Sequence, residues 1–128
     1  MSQQPPRPTD AELEILTVLW SRGPSTVRDV HESLSRRKPA QYSTVLKFLQ
    51  IMTEKGLVRR NEQQRAHIYE AAQPKEWTQQ RLAGDLLQRA FGGSAKNLLV
   101  GALSARKASQ QELAELRKML DEYEKGAK

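Results

Sequence analysis

Hydrophobic residues recur every three or four positions through the first part of the chain, and this spacing predicts α-helices. The first predicted helix lies in TDAELEILTVLWSRGP, where Thr9 and Glu12 match a capping box. Gly23 and Pro24 end the apolar stripe. This segment is therefore predicted to be one helix with a defined start and stop.

Two further helices are predicted before residue 57. The second begins at Ser25 or Thr26, where Asp29 can complete a capping box with Thr26, and Pro39 closes it. The third is predicted over Tyr42–Lys55, because its apolar residues again follow helical spacing. The residues predicted to face the core from this third helix are Val45, Phe48, Leu49 and Met52.

The period then changes in GLVRRNEQQRAHIYEA, where β-branched and aromatic residues alternate with polar ones. This pattern predicts two antiparallel strands, at about residues 57–61 and 66–70, with residues 61–65 at the tip. Three helices followed by a basic hairpin is the element order of a winged helix-turn-helix. In that fold the third helix enters the DNA major groove and the hairpin, or wing, lies along the backbone.

Helical spacing returns after Pro74 in three segments, PKEWTQQRLAGDLLQRAFGG, SAKNLLVGALS and SQQELAELRKMLDEYEK. About fifty residues in three helices cannot bury this much apolar surface alone, so pairing with a second copy is predicted. The residues predicted to form the dimer contact are Trp77, Leu86, Phe91, Leu99, Leu103, Leu113, Leu116, Leu120 and Tyr123.

The predicted fold class is mostly α with a small β-hairpin. Residues 1–8, which contain three prolines, are predicted to be a flexible arm. Residues 9–73 are predicted to form the winged helix-turn-helix domain, and residues 74–128 a helical dimerisation domain.

The net charge of +6 is concentrated in one segment. Residues 36–65 contain eight basic and two acidic side chains, whereas the rest of the chain contains 13 of each. A localised basic region of this kind indicates a polyanionic partner, although a solvated basic face is the simpler alternative.

The outward side of the third predicted helix carries hydrogen-bonding groups and little acid. Gln50 can pair with adenine, and Lys47 can donate to guanine or to phosphate. Ser43 and Thr44 stand at the helix start, where backbone N–H groups also favour phosphate. Tyr42 can stack on a sugar or donate its hydroxyl. These five residues are the predicted DNA contacts of the recognition helix.

Basic residues beside this helix are predicted to contact the DNA backbone. Arg59, Arg60 and Arg65 belong to the wing, and each either contacts phosphate or lies on the strand surface. The basic run at residues 36–38 either anchors backbone or is simply solvated.

Other chemistry has little support in the sequence. His31 and His67 lack partners at metal-ligand spacing, so packing or surface placement is favoured over a metal site. Trp77 and Phe91 either belong to the core and dimer contact or line a ligand pocket. No phosphate-binding glycine loop or catalytic grouping is present, so we expect neither an enzyme nor a cofactor.

Composition favours a cytoplasmic protein. The chain contains no cysteine, which excludes disulfides and suits a reducing compartment. No apolar run approaches the length of a membrane span and no signal peptide pattern opens the sequence, so membrane insertion is not expected.

Four segments together resemble the penicillinase repressor family of bacterial transcription factors. They are TDAELEILTVLWSRGPSTVRDV, YSTVLKFLQIMTEKGLVRR, RAHIYEA and FGGSAKNLLVGAL, and the resemblance extends over about residues 9–123. It implies a winged-helix domain and a helical dimerisation domain, with the dimer on a palindromic operator that overlaps a promoter. It further implies a β-lactamase or resistance operon as target and a membrane-bound sensor protease as a partner.

Three features depart from the family pattern. Some members are inactivated by cleavage of an Asn-Phe bond, but the matching bond here is Gly101–Ala102. Copper-responsive relatives carry a cysteine cluster that this chain lacks, and Ile51 replaces a basic residue common in the family. Two alternative functions remain at this point: a small-molecule-responsive regulator, and a protein-interaction module without a DNA role.

Overall fold

The computed structural model describes residues 5–126, which form six helices and one two-stranded antiparallel sheet. The predicted fold class, mostly α with a small hairpin, is confirmed. In chain order the elements are α1 (Asp10–Arg22), α2 (Val27–Ser35), α3 (Tyr42–Lys55), β1 (Val58–Asn61), β2 (Ile68–Ala71), α4 (Lys75–Phe91), α5 (Ala95–Ala105) and α6 (Gln110–Gly126). Within the described residues, no helix is long and apolar enough to cross a membrane.

The capping boxes predicted at Thr9 and at Thr26 both form. The Thr9 hydroxyl accepts from the Glu12 N–H at 3.2 Å, and the Glu12 carboxylate accepts from the Thr9 N–H at 2.9 Å. Thr26 and Asp29 make the same reciprocal pair at the start of α2, at 3.1 Å each way. Because the side chains occupy the free N–H groups of the first turn, the two helices have fixed starting points.

The helix α3 begins differently. Its N-cap residue, Gln41, makes no side-chain capping hydrogen bond, whereas Gly56 ends the helix in the left-handed region at φ 82°. Val45, Leu49 and Met52 are buried as predicted, and Phe48 packs against the core as predicted but is only half-buried. At 100° per residue, Phe48 lies roughly 70° from the centre of the buried face.

The hairpin differs slightly from the prediction. The first strand is Val58–Asn61, one residue shorter than expected, and the second is Ile68–Ala71, displaced from the expected residues 66–70. In the antiparallel register Val58 pairs with Ala71, and Asn61 pairs with Ile68. The connecting loop is therefore longer than the predicted turn.

Tyr69 explains the position of the second strand. Its side chain is buried, and its backbone pairs with Ser25, which lies between α1 and α2. The Ser25 N–H donates to the Tyr69 carbonyl at 2.9 Å, and the Tyr69 N–H donates to the Ser25 carbonyl at 2.7 Å. This pairing between distant residues fixes the register, and local alternation of polarity does not reveal it.

A single core joins α1, α2, α3 and the hairpin. Helices α1 and α2 pack together, α3 packs on α2 and β1, and α1 also contacts β2. The buried hydrophobic residues are Ile15, Leu16, Leu19, Val27, Val30, Val45, Leu49, Met52, Leu57, Val58 and Tyr69. This core holds the outward face of α3 on a rigid support.

The chain divides into two compact units, Met1–Leu82 and Ala83–Lys128. The predicted domain limits, with a boundary near Gln73–Pro74, stay a prediction. The predicted arm, residues 1–8, lies partly outside the described residues; of the part described, Pro5 and Pro8 are half-buried.

The described residues of the second unit include no buried residue. Helices α5 and α6 contain none along their whole length, and they pack only weakly on neighbouring helices. A helical unit of this kind lacks the core that an independently stable domain needs.

Candidate nucleic-acid interface

The predicted contact residues of α3 share the solvent side of the helix. Tyr42, Ser43, Thr44, Lys47 and Gln50 are all exposed, and half of the Tyr42 surface is accessible. The buried face of α3 leaves them pointing away from the core. The helix therefore presents hydroxyl, amine and amide groups together on one rigid surface.

Three of these residues border a surface depression of about 540 Å³, which we name the α3 depression. Ser43, Thr44 and Lys47 supply its polar groups, and Phe48 and Ile51 supply an apolar side. Such a mixture suits the major groove, because base edges offer hydrogen-bonding atoms and the thymine methyl offers an apolar surface.

Phe48 and Ile51 are candidate contacts that sequence reasoning missed. The sequence placed Phe48 in the core and assigned Ile51 no contact of its own. Thr44, Phe48 and Ile51 follow one another at spacings of four and three, so they form a single stripe beside the buried face. This spacing is the feature of the sequence from which Phe48 and Ile51 could have been predicted to lie beside Thr44 on the surface of α3.

The start of α3 is open to an anion. Gln41 does not cap the helix with its side chain, and although the Thr44 N–H donates to the Gln41 carbonyl at 3.1 Å, the N–H groups of Tyr42 and Ser43 keep no side-chain acceptor. Ser43 lies in this turn and adds a hydroxyl donor. A phosphate group bound here gains both hydrogen bonds and the positive end of the helix dipole.

A second groove of about 910 Å³, here called the α2–wing groove, is bordered by α2, the start of α3 and the hairpin loop. Tyr42, predicted for the recognition helix, and Arg65, predicted for the wing, both line it. The structure thus brings residues far apart in sequence to one surface. Arg28, His31 and His67 also line it, and sequence reasoning gave none of them a DNA contact.

The three wing arginines have different surroundings. Arg59 pairs with Glu70 across the hairpin at 3.4 Å, and Arg60 pairs with Glu62 at 2.6 Å. A hydrogen bond to Tyr69 and a second to Glu62 raise the pKa of the Arg60 guanidinium. Within the part of the chain that the structure describes, Arg65 forms no ion pair, so its charge is the most available for phosphate.

The basic run at residues 36–38 is exposed and borders a further groove, of about 440 Å³, between α1 and α2. Val18 and Leu34 are among the apolar residues of this groove. The structure does not bring the run into the α3 depression or the α2–wing groove.

Most of the exposed large hydrophobic side chains lie in the second unit. Among residues 5–126 there are seven, and only Tyr42 lies outside that unit. The other six are Leu86, Leu99, Val100, Met119, Leu120 and Tyr123. Four of them belong to the predicted dimer contact, whereas the remaining predicted residues, Trp77, Phe91, Leu103, Leu113 and Leu116, are half-buried.

Trp77 and Phe91 pack against other parts of the chain. The Arg81 guanidinium lies 5.6 Å from the centre of the Trp77 ring, and the cavity beside this tryptophan holds about 10 Å³. That volume accommodates about one water molecule and is far below that of a ligand pocket. The Phe91 ring lies close to Gly101, where a Cβ atom would approach it to 3.4 Å.

Neither histidine belongs to a cluster of metal-ligating side chains within residues 5–126. Among the residues described, no set of three or more histidine, cysteine, aspartate or glutamate side chains could hold a metal ion. His31 is half-buried, and its Nε2 atom lies 2.7 Å from the Ala40 carbonyl oxygen.

Comparison with known proteins identifies the family of this chain. The model of the penicillinase repressor family matches residues 8–122, nearly the full chain. The chain belongs to the penicillinase repressor family. The family predicted from the sequence is therefore confirmed.

Named relatives agree with this family. The transcriptional regulator BlaI of Mycobacterium tuberculosis is 36% identical over 119 residues, covering 91% of this chain and 85% of that protein. The penicillinase repressor of Bacillus licheniformis is 23% identical over 118 residues, covering 92% of each chain.

A solved structure also matches. The solution structure of the monomeric form of Bacillus licheniformis BlaI, in complex with the blaP half-operator, aligns with a TM-score of 0.50 and 23% identity. The alignment covers 59% of this chain and 92% of that chain, and it supports the winged-helix fold. Family membership makes this protein a DNA-binding transcriptional repressor rather than an enzyme.

Proposed function

We propose that the protein represses transcription as a homodimer on a palindromic operator, with α3 of each protomer in a major groove. One observation carries this proposal: the exposed hydrogen-bonding face of α3, with its uncapped start. The same segment of sequence holds the excess positive charge, which favours a polyanion. The Bacillus licheniformis relative, whose structure contains a half-operator, supports DNA as the partner.

Each residue of this face has a proposed role. Gln50 reads adenine through its amide, and Lys47 donates to guanine O6 and N7 or to a nearby phosphate. Ser43 and Thr44 bond phosphate at the start of the helix, together with the backbone N–H groups there. Phe48, beside Lys47 in the α3 depression, contacts a thymine methyl.

The wing contributes affinity without sequence preference. Arg65 contacts backbone phosphate, since it keeps its charge free of a carboxylate partner within residues 5–126. Arg59 and Arg60 contribute less, because each must weaken an existing ion pair before it can bind phosphate. Tyr42 faces the α2–wing groove, where it can stack on a sugar.

We propose that the second unit dimerises through its exposed apolar side chains. Leu120 is 57% exposed and Tyr123 is 71% exposed, both on α6 of the isolated protomer. Their transfer from water to a second copy stabilises the dimer, at roughly 25 cal/mol for each Å² of apolar surface buried. A two-fold dimer requires a palindromic operator, with half-site centres about 10 bp, or a multiple of that distance, apart.

Repression then follows from occlusion, since a bound dimer excludes RNA polymerase from the same DNA in the cytoplasm. The proposed targets are β-lactamase or other resistance genes, and a membrane-bound sensor protease is the proposed inducing partner. Such a protease must cut at a bond other than Gly101–Ala102. Gly101 lies inside α5, and the Asn-Phe pair that is cut in some family members is absent at this position.

Fluorescence anisotropy tests the DNA-binding role. The purified protein is titrated onto a duplex from upstream of its own gene and onto a scrambled duplex, at two salt concentrations. We expect tighter binding to the upstream duplex and a steep loss of affinity with salt. Absence of binding to both duplexes would overturn the proposal and leave the face of α3 for a protein partner.

The 10 Å³ cavity beside Trp77 gives no support to a small-molecule effector at that position.

A further inference from the structure

The entry of the recognition helix is held by a residue of the preceding helix. His31, on α2, places its Nε2 atom 2.7 Å from the carbonyl oxygen of Ala40, two residues before α3 begins. Its ring also meets the Tyr42 ring edge-on, with 5.8 Å between ring centroids and 72° between planes. His31 therefore contacts the chain on both sides of Gln41, the N-cap residue.

This contact is not a cap, because a donor to the Ala40 carbonyl leaves the first-turn N–H groups of α3 free, but it holds the segment that leads into the helix. Helices α1, α2 and α5 each start with a threonine or serine hydroxyl that accepts a backbone N–H. Helix α3 has no such cap, so its start depends on contacts from outside the helix. The hydrogen bond and ring contact of His31 supply two of them.

The hydrogen bond also fixes which ring nitrogen carries a proton. A carbonyl oxygen only accepts hydrogen bonds, so the Nε2 atom of His31 must be the donor. The Nδ1 atom is then the one that gains or loses a proton. Within the described residues no hydrogen bond to Nδ1 is formed. Protonation therefore adds a positive charge and a donor without breaking the bond to Ala40.

The charged residues around His31 suit binding of the DNA phosphate backbone. The α2–wing groove is lined from α2 by Arg28 and Glu32, and from the hairpin loop by Arg65 and His67. Two arginines against one glutamate leave the groove positive. Tyr42 and Tyr69 border it as well.

We propose that His31 is a positioning residue of the recognition helix, and that its protonated form strengthens binding of the DNA backbone in the α2–wing groove. The inference rests on the proposed function and adds proton-linked affinity to it. Phosphate charge favours the protonated imidazole, so the complex binds more protons than the free protein and DNA. By linkage, affinity must then increase as pH falls through the range in which histidine titrates.

Two variants separate positioning from charge. His31→Gln keeps an N–H donor for the Ala40 carbonyl but cannot titrate, whereas His31→Leu loses both the donor and the charge. His67→Gln removes the other imidazole of the same groove, so it separates pH dependence due to His31 from pH dependence due to His67. All are measured as full-length protein, on the upstream and scrambled duplexes, between pH 8 and pH 6 at constant ionic strength.

For the wild type we expect the dissociation constant to fall at least about threefold from pH 8 to pH 6. His31→Gln should bind within about twofold of the wild type at pH 8 and show little gain at pH 6. His31→Leu should bind about fivefold more weakly even at pH 8, since one positioning hydrogen bond is lost. His67→Gln should keep most of the pH dependence.

Other outcomes contradict the inference in distinguishable ways. If His31→Gln keeps the full pH dependence, or if His67→Gln removes it, protonation of His31 is not the cause. If His31→Leu binds as the wild type does at pH 8, the positioning role is wrong. Wild-type binding that is sequence-selective but independent of pH overturns this inference alone. Absence of DNA binding at every pH overturns the proposed function as well.

Discussion

Lys55, the last residue of the recognition helix, donates from its ammonium group to the carboxylate of Glu12 at 2.8 Å. Glu12 is only 1% exposed, and its other oxygen accepts the Thr9 N–H in the α1 capping box. One buried carboxylate thus fixes the start of α1 and the end of α3. Because the ion pair joins residues 43 positions apart, it sets the position of α3 relative to the core.

Replacement of Lys55 by methionine should destabilise the fold. The aliphatic stem is kept, but the Glu12 carboxylate loses its only charged partner within the described residues. Since about a third of the Lys55 side chain stays exposed, we expect a loss of about 1–3 kcal/mol in unfolding free energy, less than for a fully buried pair. Urea denaturation followed by circular dichroism measures it.

Lys47→Met is the matched control for that experiment, since Lys47 lies on the same helix but is exposed. It should change the unfolding free energy by less than about 0.5 kcal/mol. Equal losses for both variants would show that the Glu12–Lys55 pair contributes nothing specific to stability.

Acid should weaken the fold through the same carboxylate. Burial acts to raise the pKa of Glu12, but hydrogen bonds from Lys55 and Thr9, with the charge of Lys55, lower it below the usual 4.5. A carboxyl whose pKa is lower in the folded state stabilises the fold above its unfolded pKa. This contribution is lost as pH falls through the folded value, so it should disappear below about pH 4.5.

Thermal unfolding at several pH values between about 7 and 3 tests this prediction. Glu12→Gln should be less stable than the wild type at neutral pH, and the gap should narrow in acid. Asp29→Asn is a parallel case, because hydrogen bonds within the second capping box also lower the pKa of Asp29, and its gap from the wild type should narrow in acid as well. A gap between Glu12→Gln and the wild type that stays constant with pH would show that ionisation of Glu12 does not matter.

Gln50→Ala should weaken binding to the operator more than binding to random DNA. Loss of a bidentate contact to adenine costs about 1–3 kcal/mol of discrimination. Anisotropy with the two duplexes gives both affinities for the variant and the wild type. An equal loss on both duplexes would remove Gln50 from base recognition and leave it a backbone contact at most.

Arg65→Ala should weaken binding to both duplexes alike, since phosphate contacts carry no sequence information. The slope of log affinity against log salt concentration should become shallower by about one. Arg59→Ala is the comparison, because Arg59 is already paired with Glu70, and its effect should be smaller. A larger effect for Arg59 would place the wing contact on the strand rather than in the loop.

Leu120→Asp should break the dimer without unfolding the protomer, because the side chain is already 57% exposed in a single chain. Burial of an unpaired carboxylate in an apolar interface is costly, so analytical ultracentrifugation should detect monomer. Lys118→Asp introduces the same acid roughly 160° away around α6 and should stay dimeric. A Leu120→Asp protein that sediments as a dimer would move the contact away from this stripe.

The sequence was most informative where structure depends on nearby residues. Both capping boxes and the end of α3 at Gly56 follow from short motifs, and the structure contains them. The position of the second strand did not follow, because it depends on the pairing of Ser25 with Tyr69. Contacts between residues far apart in the chain leave no periodic signal.

In the candidate site, too, features set by nearby residues were predictable, and features set by contacts between distant residues were not. The polar side of α3 was predictable, since helical spacing alone separates Lys47 and Gln50 from the buried residues. The contribution of His31 was not, because only the packing of α2 against the start of α3 brings its ring to Ala40 and Tyr42. The ion pairing of the wing arginines likewise depends on partners whose positions in space the sequence does not reveal.

Hydroxyl-radical footprinting on the DNA upstream of the gene tests the central claim most directly, because it reports both the DNA contact and the pairing of protomers. We predict two protected half-sites of related sequence, with centres about 10 bp or a multiple of it apart, and loss of that paired pattern for Leu120→Asp. A single protected half-site for the wild type, or no protection at protein concentrations that saturate binding, would contradict the account of a dimer that reads DNA through α3.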